Sequence, residues 1–92
     1  MITDSIQNYY EPMVIETMDR ELGLQNHSAD YLSDVACVAL NNMPPRYFRF
    51  EVDMAFYLSP AERKEMEEKV NMAVKDAIKY VNAHQNRAAE TN

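Results

Sequence analysis

The stretch Leu40-Asn41-Asn42-Met43-Pro44-Pro45-Arg46-Tyr47-Phe48-Arg49-Phe50-Glu51-Val52-Asp53-Met54-Ala55-Phe56-Tyr57-Leu58-Ser59-Pro60 decides the fold of this chain. Pro44-Pro45 ends the helix before it, because proline has no amide hydrogen to donate and its ring collides with the preceding turn. Each proline also drives the residue ahead of it toward an extended backbone. The hydrophobic period then changes. Phe48, Phe50, Val52, Met54, Phe56 and Leu58 alternate with Arg49, Glu51, Asp53, Ala55 and Tyr57, the period of an extended, half-buried strand or of two short ones. Ser59-Pro60-Ala61-Glu62 restarts a helix: serine caps, proline takes the first helical position, and the glutamate completes a capping box.

That arrangement poses a problem of pairing. A lone strand leaves its backbone donors and acceptors unmatched, and no second strand of comparable strength stands out in the chain. Pairing with the same segment of a second copy about a two-fold axis solves it. An irregular extended loop clamped between helices is the other solution.

Outward from this stretch the pattern is helical. Upstream, Leu32, Val35, Ala36, Ala39, Leu40 and Met43 recur at i, i+3, i+4 and i+7, with Ser28 or Asp30 placed to cap. Downstream, Met66, Val70, Ala73, Val74, Ala77 and Val81 share one face, and Arg63, Lys64, Glu67, Glu68 and Lys75 the opposite one. A first helical segment is predicted from about Thr3 to Leu22, with Ile6, Tyr10, Met13, Thr17 and Leu22 on one face, Tyr9, Val14 and Met18 widening it, and a kink or restart near Glu11 where Pro12 interrupts the pattern. Gly23 falls where a C-terminal cap is expected. The reading is a mainly α, single domain over 1–92: three to four helices, a short extended segment at about 46–58, and a frayed polar tail at about 86–92.

The chain has 92 residues, 47% of them apolar, so one core forms but is marginal alone, which favours a homodimer. A net charge of −6 argues against sequence-independent DNA or RNA binding and against docking on an anionic membrane. It leaves room for a small anionic ligand served by local arginines. Cys37 is the only cysteine, so no internal disulfide is possible, and it is expected buried on its helix. His27 and His84 belong to no metal-ligand spacing, and no metal is expected. No glycine-rich phosphate loop or nucleophile elbow is present, and an enzyme is not expected. Without a signal peptide or a transmembrane run, the expected compartment is the cytoplasm.

The segment from Asn41 to Asp53 gathers amides, two arginines, aromatic rings and two acids on a backbone that Pro44-Pro45 stiffens, which lowers the entropic cost of binding. Arginine offers a planar fork for phosphate or for guanine, an aromatic ring can stack on a base, and a carboxylate can accept from a base edge. The plainer alternative makes Arg49, Glu51 and Asp53 the wet face of a strand and has Arg46 capping the helix before it.

Asn8-Tyr9-Tyr10-Glu11-Pro12-Met13-Val14 and Asp34-Val35-Ala36-Cys37-Val38-Ala39-Leu40-Asn41-Asn42-Met43-Pro44-Pro45-Arg46-Tyr47 resemble the ComFB family, the late-competence development proteins of bacteria. The most specific part is the run from Ala39 to Tyr47. The resemblance implies a small, mainly helical, dimeric domain that binds a cyclic dinucleotide, c-di-GMP or c-di-AMP, in signalling. Some family members bind zinc through cysteines ahead of the second helix. This chain has Asn26-His27-Ser28-Ala29-Asp30 there, so zinc is not expected. The resemblance and the side-chain chemistry together point to Arg46 and Arg49 for phosphate or guanine, Tyr47 for stacking, Asp53 for the base edge and Asn41 for orientation. The rival expectation is a ligand-free adaptor whose alternating segment docks on a downstream partner protein.

Overall fold

In the structure, a computed structural model, residues 2–49 and 58–91 are described, with backbone alone at 3–4 and 86–91. Three α-helices stand among them: α1 (Tyr10–Leu22), α2 (Ala29–Asn41) and α3 (Pro60–Thr91). Two short strands, β1 (Gln7–Asn8) and β2 (Tyr47–Phe48), pair antiparallel, and 3₁₀ turns span Ile2–Ser5 and Leu24–Asn26. The architecture is mainly α with a short extended segment, as the sequence leads one to expect; that the segment pairs with β1 of the same chain is not what the sequence led one to expect.

Each helix is set by local chemistry. The expected helix from Thr3 is corrected, because α1 begins only at Tyr10 and Pro12 lies in its first turn, where an amide hydrogen would have no partner. The restart expected near Glu11 is therefore a true start, at Tyr10, and Ile6, expected on the buried face, stands 42% exposed. Ser28 caps α2, its Oγ accepting from the Tyr31 N–H at 3.1 Å. The box that starts α3 is complete: Glu62 N–H donates to Ser59 Oγ at 3.1 Å, and Ser59 N–H donates to Glu62 Oε1 at 3.4 Å. The backbone of α3 stays helical to Thr91, through the end expected to fray, where Ala88, Ala89 and Glu90 all favour helix.

The C-terminus of α1 depends on Gly23. Its φ of 75° is costly for a residue with a Cβ, and an added Cβ would stand 2.7 Å from Asn26 Nδ2. Gly23→Ala is expected to lower stability by about 1 kcal/mol. Urea unfolding checks this, and a midpoint equal to wild type would remove the left-handed cap from the account.

The core is one cluster. Tyr10, Val14 and Met18 of α1 meet Val35 and Ala39 of α2 and the predicted face of α3, Met66, Val70, Ala73, Val74, Ala77 and Val81. Leu58 and Met43 close the end of the core at the connections. The alanines at 39, 73 and 77 are all buried, and they let α2, the helix packed most extensively on α3, approach closely. Cys37 is exposed rather than buried. It lies two residues from Val35, a turn of about 200° around the helix, which carries it to the far face. No helix among the described residues is long and apolar enough to cross a membrane.

Candidate functional site

The last turn of α2 closes with Asn42 N–H donating to the Ala39 carbonyl at 3.2 Å and Met43 N–H to the Leu40 carbonyl at 3.3 Å. Beyond the exposed prolines the chain runs antiparallel to β1, with Gln7 opposite Phe48 and Asn8 opposite Tyr47. The partner strand is therefore in the same chain for these two residues. The rest of the alternating run, 50–57, lies outside the described residues.

Asn8 is the hub of this junction. Its Oδ1 accepts from the Arg46 N–H at 2.9 Å and from the Tyr10 N–H at 3.3 Å. The Tyr9 N–H donates to the Arg46 carbonyl at 2.7 Å. Both backbone polar groups of Arg46 are thus held by the N-terminal segment, while the same Asn8 oxygen satisfies one of the free donors that open α1.

The side chains sort by the period of an extended backbone. Arg46 and Phe48 share a side, and the Arg46 guanidinium carbon lies 5.7 Å from the Phe48 ring centroid, within cation–π range. Phe48 meets Tyr9 edge-on, centroids 6.2 Å apart and planes at 86°. Tyr47 falls on the opposite side and is 60% exposed. Arg46 does not cap α2. Its guanidinium rests on Phe48, and among the described residues it has no carboxylate partner and donates to no acceptor.

Of the other expected site residues, Asn41 is exposed on the last turn of α2, and no hydrogen bond joins it to Arg46 or Tyr47 among the described residues. Arg49 is exposed just past β2. Asp53 lies outside the described residues. Asn8, Tyr9 and Phe48 were not among the expected site residues. The signal that could have found Asn8 is its position just ahead of a proline-bearing first turn, where a side-chain acceptor is favoured. Tyr9 also walls an open groove of about 570 Å³ between α1 and α3. In that groove Arg20 Nη2 donates to Asn71 Oδ1 at 2.9 Å.

What fold and site define together is a small helical domain carrying a proline-stiffened, arginine-bearing segment pinned to its own N-terminus. Residues 7–85 match the family described as late competence development protein ComFB, and the chain belongs to that family. It is a competence-related regulatory protein, and the family is not a known family of enzymes. No curated protein and no solved structure matches the chain.

Proposed function

We propose that this regulator is a receptor for a cyclic dinucleotide, c-di-GMP or c-di-AMP, and that it acts as a homodimer. The observation that carries the reading is Arg46. Its backbone is fixed by Asn8 and Tyr9, its guanidinium lies over the Phe48 ring, and its donors are unspent among the described residues. A held guanidinium loses little freedom when a phosphate or a guanine edge arrives. The exposed Tyr47 ring, on the opposite side of β2, offers a separate stacking surface, and Arg49, Asn41 and Asp53 extend the same segment. The dimer is supported by α2, whose Leu32, Ala36, Val38 and Leu40 remain only half-buried in one copy. A helix with apolar residues around most of its girth suits cover on more than one side.

Arg46→Ala is expected to weaken binding by about tenfold to a hundredfold, the worth of one or two charge-assisted hydrogen bonds at 1.4 kcal/mol per decade. Calorimetry with both nucleotides on wild type and variant checks it. A wild-type chain that gives no heat with either nucleotide, well above micromolar, overturns the receptor reading.

A further inference from the structure

We infer that the groove between α1 and α3 receives part of that nucleotide, with Arg63 as a second arginine and Tyr9 as the ring a base rests against. This rests on the receptor reading and extends it to residues that no alternating pattern marks.

The surface is continuous. Arg46 lies on Phe48, Phe48 lies against Tyr9, and Tyr9 forms part of the groove wall together with Arg63 and Glu67. Tyr47, on the other side of β2, cannot stack on a base held from the Arg46 side, whereas Tyr9 can. The groove, at about 570 Å³, is within the range that small ligands occupy. Its apolar lining is Met13 and Val70, and Asn71 adds a polar amide.

Arg63 is the informative residue. Its backbone N–H donates to the Ser59 carbonyl at 3.0 Å, but its guanidinium has no carboxylate partner among the described residues. Glu67 is one helical turn away, at the i, i+4 spacing that makes the two side chains neighbours on the helix surface. With neither the Arg63 guanidinium nor the Glu67 carboxylate partnered among the described residues, the pair matches a ligand that carries both an anionic phosphate and a ring with N–H donors. Arg20 is engaged with Asn71, and Lys75 lines the groove with the acids Glu16 and Glu21, so Arg63 is the arginine of the groove open to a ligand.

The test is calorimetry of the full chain with c-di-GMP and c-di-AMP, on wild type, Arg46→Ala, Arg63→Gln and Lys69→Gln. Lys69 is exposed on α3 away from the groove and removes the same charge. Expected are a loss of about tenfold for Arg63→Gln and a change within about twofold for Lys69→Gln. The melting temperature of unliganded Arg63→Gln should match wild type, because the guanidinium holds no partner among the described residues. Wild-type affinity in Arg63→Gln alongside a loss in Arg46→Ala overturns the groove and leaves the receptor reading standing. Equal losses in Arg63→Gln and Lys69→Gln also overturn it, since they report net charge alone. A wild type that binds neither nucleotide overturns both.

Discussion

Met18→Ala is expected to lower the unfolding free energy by roughly 2–4 kcal/mol, and the melting temperature by about 10–20 °C for a domain of this size. Met18 heads the fully buried side chains and packs in the cluster shared by all three helices. Truncation removes transfer energy and leaves a cavity that a framework of short helices can only partly close. The total stability of a chain this long is itself only on the order of 10 kcal/mol, so the loss is a large fraction of it. The comparison is Ile15→Ala on the same helix. Ile15 is 44% exposed, and its truncation should cost well under half as much. Thermal melts followed by circular dichroism measure both, and similar losses at the two positions would contradict the orientation of α1.

Asn8→Ala is expected to cost about 1–2 kcal/mol and to free the arginine segment while the helical core stays intact. Two backbone donors, those of Arg46 and Tyr10, lose their acceptor together. Each bond contributes about 1 kcal/mol, and partial exposure lets water take over some of the loss. Asn8→Asp should restore most of it, because a carboxylate accepts both bonds and a negative charge at the start of α1 is favourable. Amide exchange gives the local readout: the Arg46 N–H should exchange at least about tenfold faster in Asn8→Ala than in wild type. Unchanged exchange at Arg46 would mean that the prolines alone hold the segment.

Most of the helical framework was legible because its signals are local. The apolar face of α3, from Met66 to Val81, is buried as its spacing requires, and the Ser59–Glu62 box forms as written. Two local readings failed for identifiable reasons. The apolar periodicity before Tyr10 suggested helix, but Asn8 and Pro12 together place the start later. Cys37 was assigned by residue type, and its angular distance from Val35 puts it outside.

The candidate site was legible in composition and only partly in geometry. Arg46 and Tyr47 were recognisable by their chemistry, yet their neighbours were not. Phe48 appeared as one more core residue of a strand, Arg63 and Glu67 as the solvated face of a helix, and Tyr9 as a widening of a helical stripe.

The break at Pro44-Pro45 shows the division most clearly. That a helix must end there, that an extended backbone must follow, and that a helix must restart at Ser59-Pro60 are matters of missing donors, ring clashes and caps. Those act within a turn of chain, so the sequence alone determines them. What pairs with the extended backbone is different. The acceptor for Arg46 comes from Asn8, 38 residues earlier, and the partner strand is only Gln7–Asn8, too short to carry a period of its own. A two-residue strand forms only when the helices beside it bring its ends together, because one pair of residues cannot offset the entropy of closing so long a loop. The packing of α1 and α2 against α3 supplies that closure, and with it the face on which Arg46 lies.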